Sequence, residues 1–433
     1  MKLSFLWLLT ALSFCSVFAQ PVPAPKQVRP VLITGATVHV GDGRVLQGKS
    51  IAVVDGKIVT NPDLAAIEKK SGVACRVIEA KGKHIYPGFI APFSLLGMVE
   101  VESVRATQDF NETGILNPNA RAVVAYNTDS EVTPTVRNNG VLMAQIVPAG
   151  GLISGQSSVV QLDAWNWEDA AYKTDEGLVL NWPNQYSNSG WWAEPGEIKR
   201  EDRYKENVQS IGRLFDEAAA YARKKNPESK NLRLEAMSGL FDGSKNLYIR
   251  VSFAKPIIEA VLFAKKYGIN AVIVGAEDAW RITDFLKENN TRVILHRIQS
   301  LPLRSDDNLD QPYQQARLLS EAGIPFCFSM DGAWQQRNLP FQAGQSVAYG
   351  LSYEKAVQAL SLDAARILGI SQTTGSIEDG KDATLFISSG DALDMKSNKV
   401  EFAMIMGREI VLDDKQLGLY RRFGEKYQQE KKQ

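Results

Sequence analysis

The chain has 433 residues, with 49 basic and 49 acidic side chains and no formal net charge. Hydrophobic residues at 44% and charged residues at 23% suit a globular protein, and exclude a disordered, collagen-like or disulfide-scaffold chain. Balanced charge argues against a polyanion binder, so no nucleic-acid partner is expected, and the three His cap any imidazole-rich metal site from the outset.

Residues 1–19 read MKLSFLWLLTALSFCSVFA. Lys2 gives a short positive start, Leu3 to Phe14 an apolar run, and Val17 and Ala19 the small residues before a cleavage point. This pattern predicts a secretory signal peptide. The apolar run is shorter than the roughly 20 residues that a spanning helix needs. No later segment is long and apolar enough to cross a bilayer. The mature chain is therefore expected to be secreted, and periplasmic if the source is a Gram-negative bacterium. Losing Cys15 leaves Cys75 and Cys327, too far apart to make a framework and read as two buried free thiols.

Residues 20–29 are Pro-rich and read as an extended lead-in. Short apolar runs broken by Gly41-Asp42-Gly43 and Asp55-Gly56 predict strands with tight turns over 30–60. DATLFIS (382–388) and EFAMIMGREIVL (401–412) read the same way, and the two chain ends are expected to share one small β-module.

The middle alternates. Apolar strand runs are expected at 86–96, 140–148, 158–165, 246–252, 270–275, 292–296 and 324–331. Between the later ones, Pro256 opens one helix, Asp278 is read as the cap of a second, and a third lies near 311–322. Strand and helix in turn mean βα units and a parallel sheet, and the length fits a (β/α)8 barrel. An open doubly wound sheet is the alternative. The one Gly-rich loop, AGGLISG (149–155), lacks dinucleotide or phosphate-loop spacing. The predicted class is α/β, a TIM-like barrel plus a small β-sandwich built from both chain ends. The units are a signal peptide (1–19), sandwich (28–85), barrel (86–372), sandwich (373–413) and a charged helix or tail (414–433).

Four stretches carry a family resemblance: VLITGATVHVGDGRVLQGKSIAVVDGKI, GKHIYPGFIAP, GLISGQSSVVQLD and YEKAVQALSLDAARILGISQTTGSIEDGKDATLFI. On these the chain resembles the metal-dependent amidohydrolase superfamily, especially its imidazolonepropionase-like branch. The resemblance implies hydrolysis of non-peptide C–N bonds by a metal-activated water. It also implies where the metal ligands should stand. The position of the Asp that follows PGFI is Ala91, and the His-x-His pair falls on Phe93 and Leu95. The bridging Lys matches Gln161, the fifth-strand His Arg250, and the sixth-strand ligand lies within Val272–Ala276, where there is no His. Asp331 keeps the eighth-strand acid.

Catalytic zinc draws three protein ligands from His, Cys, Asp or Glu. Of the three His, His39 lies in the sandwich, His84 precedes the barrel, and His296 sits at a strand's C-terminal end, where such barrels place chemistry. No cofactor and no family-type binuclear metal is expected, and no catalytic residue is assigned. The barrel-mouth candidates are Asp331, Arg250, Gln161 and His296. Alternation puts Cys327, Ser329 and Asp331 on one face, Tyr248 and Arg250 on one, and Val159, Gln161 and Asp163 on another. An Arg250–Asp331 ion pair, with Gln161, is expected to plug the vestigial site. Five Trp (Trp165, Trp167, Trp182, Trp191 and Trp192) fall in one loop-like stretch, read either as a lid over the mouth or as a satellite core.

The reading is an exported, catalytically impaired pseudoenzyme, acting as a binding or partner subunit beside an active homologous amidohydrolase or through self-association. Two alternatives stay open: an amidase or cyclic amidohydrolase with a reduced or metal-free site, and a small-ligand binder under the Trp-rich lid.

Overall fold

A computed structural model describes residues 22–188, 190, 194, 196–224 and 229–427. The expected signal peptide, Trp191 and Trp192 lie outside the described residues. Among the described residues no helix is long and apolar enough to cross a membrane.

The first strand, Val31–His39, pairs antiparallel with Val45–Val54, which continues through the Asp55-Gly56 turn to Lys57–Val59. On its other edge it pairs parallel first with Arg76–Glu79 and then, past a bulge near Gly35, with His84–Pro87. His84–Pro87 pairs with Leu385–Ser388, and so with Val400–Ile405 and Arg408–Glu409, from the other chain end. The two ends do share one eight-stranded sheet. It folds about its own apolar core, where Ile33, Val38, Ile51 and Ile85 meet Leu385, Ile387 and Met404.

The second eight-stranded sheet is the barrel. Its strands, in order, are Phe89–Ser94, Val141–Ile146, Ile153–Gln161, Ala171–Asn181, Asn246–Val251, Ala271–Gly275, Arg292–Leu295 and Phe326–Phe328. Most of these runs are apolar on both faces, as strands covered inside and out tend to be, whereas the third and the first half of the fourth are polar. At least one residue from each strand (Ile90, Met143, Val159, Val179, Tyr248, Val272, Ile294 and Cys327 among them) joins a common apolar interior. The alternation reading thus holds for Val159, Tyr248 and Cys327. Ser329 Oγ donates to Pro92 O at 2.7 Å across the seam between the eighth and first strands. The helix Leu362–Leu368 plugs the opposite end. Ala364, Ala365, Ile367 and Leu368 join the interior, and the Ile367 carbonyl takes a bond from Asn246 at the start of the fifth strand.

Three expectations need correction. The third strand is antiparallel to both neighbours, so 141–181 is a meander and not two βα units. A fourth strand, Ala171–Asn181, occupies much of what was read as a Trp-rich loop. Asp278 precedes a three-residue 3-10 turn without capping it. Its carboxylate accepts from Ala254 N–H at 3.0 Å and pairs with Arg304 at 2.6 Å. Two smaller differences follow. Cys327 is a buried free thiol as expected, but Cys75 is half-buried. Leu262, which the spacing Ile257, Ile258, Val261, Leu262 would put on the apolar face of the helix Ala254–Lys266, is exposed.

Candidate active site at the barrel mouth

The C-terminal ends of the parallel strands surround a recess of about 330 Å³. Phe93 and Leu95 come from the first strand and the residue after it, Val179 and Asn181 from the fourth, and Arg250 from the fifth. His296 follows the seventh strand, and Met330 and Asp331 follow the eighth. In this architecture chemistry belongs at this end.

Asp331 pairs with His296, not with Arg250: its carboxylate lies 2.7 Å from His296 Nδ1. The reason is strand order. His296 and Asp331 leave neighbouring strands, about 4.8 Å apart, whereas Arg250 leaves the fifth strand, three places from the eighth. The bond from His296 holds the Asp331 carboxyl below the usual carboxylate range, against partial burial, and the charge of Arg250 adds to this from farther off. Arg250 itself is exposed, and among the described residues its side chain has no hydrogen bond or ion pair.

Gln161 is not at the mouth. The reversed third strand carries it to the opposite end, where it accepts from Arg408 at 2.8 Å and from Asp163 N–H at 3.0 Å. The residues that face the mouth there are Val179 and Asn181, on the strand that sequence reading missed. Among the described residues, the Trp side chains read as a lid do not cover the mouth. Trp165 and Trp167 follow the third strand at that same far end, Trp165 exposed and Trp167 packed against the main core. Trp182 is buried edge-on against Phe263 of the helix Ala254–Lys266.

Beneath the mouth lies a buried polar network. Glu176 Oε1 accepts from Ser157 Oγ at 2.6 Å and from Gln145 Nε2 at 2.7 Å, while Oε2 accepts from Tyr248 OH at 2.8 Å. Burial pushes the Glu176 carboxyl above its ordinary range, the three bonds opposing that rise. Gln145 passes the network upward, its Oε1 accepting from the Phe93 N–H at 2.9 Å. Phe93 has φ +52°, a left-handed backbone that is a genuine outlier for a bulky residue. Clamped through Gln145 on one side and through Pro92 and Ser329 on the other, it turns its ring toward His296, 6.0 Å between centroids. One signal for this network was available, an acid directly before the apolar run GLVLN.

A binuclear ion site needs convergent nitrogen and carboxylate donors. Phe93 and Leu95 offer none, Arg250 is a fixed cation, and His296 and Asp331 face each other. Among the described residues no group of three or more His, Cys, Asp or Glu lies together in a way that could hold a metal ion. The donor set does not fit the ion pair that the fold implies. His296 Nε2 is enclosed and has no hydrogen-bond partner. With Nδ1 committed to Asp331, the ring presents no accessible nitrogen to the recess.

Comparison with known proteins adds the lineage. The amidohydrolase family model matches residues 258–410. The imidazolonepropionase of Flavobacterium psychrophilum is 31% identical over 109 residues, 23% of this chain and 26% of that protein. That of Thermoplasma volcanium is 33% identical over 86 residues, 19% of this chain and 21% of that one. The chain therefore matches about a quarter of the length of these curated relatives. An amidohydrolase structure from Thermotoga maritima superposes with a TM-score of 0.75 at 23% identity, covering 88% of this chain and 99% of that one. Residues 258–410 are thus similar to the amidohydrolase family, and the chain shares the fold of an amidohydrolase structure. The likeness is one of partial sequence and of fold. The superfamily's reaction depends on side chains at the mouth, and a fold does not carry them.

Proposed function

We propose that this is an exported amidohydrolase-superfamily protein whose metal-dependent C–N hydrolysis has been retired, and that it serves as a binding or partner subunit. The partner is a homologous active amidohydrolase or a second copy of the chain. The observation that carries this reading is the occupancy of the first-strand ligand positions. Phe93 is wedged there by a strained backbone and a buried network, and Leu95 follows it, where the superfamily resemblance calls for two imidazoles. Replacing one of them alone would not restore a site, because Arg250 would still place a positive charge across the mouth. Signal-peptide character at the chain start supports export.

The His296–Asp331 pair favours a second reading, metal-free hydrolysis with His296 as general base. Against it stands the enclosed Nε2, which no substrate reaches without movement of the surrounding side chains. The test is turnover. The purified chain is assayed with cyclic amides, imidazolones and N-acyl amino acids, with and without added zinc. The expected result is no hydrolysis above the buffer rate. Steady turnover that disappears in Asp331→Ala would overturn the retired reading.

A further inference from the structure

We infer that the barrel mouth binds a small organic monocarboxylate, its charged group on the Arg250 guanidinium and its apolar body on Phe93. This rests on the binding reading proposed above and adds the class of ligand.

Charge comes first. Arg250 is an exposed guanidinium at the rim, and among the described residues no side chain or carbonyl satisfies it. The acid nearest to it in role, Asp331, is committed to His296 at 2.7 Å. A guanidinium presents a planar fork that matches a carboxylate with two parallel bonds. Asp331 still faces the same recess with its negative charge. Among the described residues that line the recess, the Arg250 guanidinium and the Asp331 carboxylate are the fixed charges, with Arg297 near enough to act on Asp331 from outside it, and this near balance suits a singly charged ligand.

The walls give the rest. Leu95, Val147, Pro148, Val179 and Met330 line the recess, and Phe93 lies at its base with 9% of its surface exposed. At about 330 Å³ the space stands near the lower end of ligand pockets, which run from roughly 300 to 1,000 Å³. A short alkyl or branched acid is within that volume. The backbone adds an independent observation. Phe93 at φ +52° and Ala276 at φ +58°, just past the sixth strand, are both non-Gly residues in the left-handed region near one end of the barrel. Such strain persists where surroundings over-determine it, and it gathers at ligand clamps. Here Gln145, Glu176 and Ser329 do the over-determining.

The test uses the full mature chain, hexanoate as probe and its neutral amide, hexanamide, as control. Dissociation constants come from ligand-observed NMR titration at low and high salt. Hexanoate is expected to bind about tenfold more tightly than hexanamide, with the gap narrowing at high salt. Arg250→Gln, at an exposed position, is expected to keep the fold and erase the gap. Equal affinities, no binding of either probe, or a gap that survives in Arg250→Gln would overturn the inference. Zinc content and amide turnover are measured on the same preparation. Stoichiometric zinc or turnover overturns the retired-enzyme reading, whereas loss of the carboxylate preference alone overturns only this one.

Discussion

Phe93 holds a backbone that a large side chain rarely adopts, and its neighbours fix it there. That gives a comparison whose sign is unusual. In an ordinary strand, Gly is less stable than Ala by roughly 0.5–1 kcal/mol. Both Phe93→Gly and Phe93→Ala lose the ring, but only Gly relieves the positive φ. Phe93→Gly is expected to be the more stable of the two by about 1 kcal/mol in urea unfolding, and the opposite order would remove the strain argument. Glu176 supplies the pH dependence. Its folded pKa is raised by burial, so its share of stability is whole below the unfolded carboxyl range and is lost as pH rises from there through the raised folded value. Glu176→Gln is nearly isosteric and does not ionise. Thermal melts should show the variant gaining on the parent chain from pH 4 to pH 7, at about 1 °C per kcal/mol for a chain of this size. A constant difference across that range would show that the carboxyl does not titrate differently in the fold.

At the level of strands and loops, the barrel runs were legible because strands buried on both faces are continuously apolar. Direction was not legible, because a period of two residues is the same read either way. The third strand therefore came out reversed, and Gln161 moved to the far end with it. The fourth strand was hidden by its own first half, AYKTDE, which is polar where it leaves the barrel end, and by the Trp residues around it. The mouth residues Asp331, Arg250 and His296 were legible as strand-end positions, but their pairing was not. Opposite charge suggested Arg250, whereas adjacency in the sheet decided for His296. The AGGLISG loop lacks phosphate-loop spacing, and the structure gives one of its glycines a reason. Gly151 has φ +64°, and a Cβ there would stand 2.8 Å from Ile115 O, where the 111–121 segment crosses. Gly151→Ala should lower stability by roughly 1–3 kcal/mol in a denaturant titration. A neutral result would mean that the crossing segment yields freely.

Across the whole molecule, one buried ionic junction ties the three parts of the chain together. Asp163, just past the third strand, pairs with Arg137 at 2.8 Å and with Arg408 of the composite sheet at 3.2 Å. It also accepts from the Ala24 N–H in the Pro-rich lead-in at 2.8 Å. Arg137 and Asp163 are both buried, and burial pulls the Arg137 guanidinium below its ordinary value, against the pull of Asp163. Removing the carboxylate leaves two guanidiniums facing each other without it. Asp163→Ala should cost about 3–5 kcal/mol, seen as a lower urea midpoint, and a change under 1 kcal/mol would show that water enters and replaces the acid.

The claim on which the functional account stands is that the mouth no longer gathers donors for an ion. Elemental analysis of the mature chain, incubated with excess zinc and then dialysed, tests it most directly. The account predicts far less than one zinc per chain, with no difference between the parent and Asp331→Ala. One or two zinc ions retained per chain, and lost in Asp331→Ala, would contradict it.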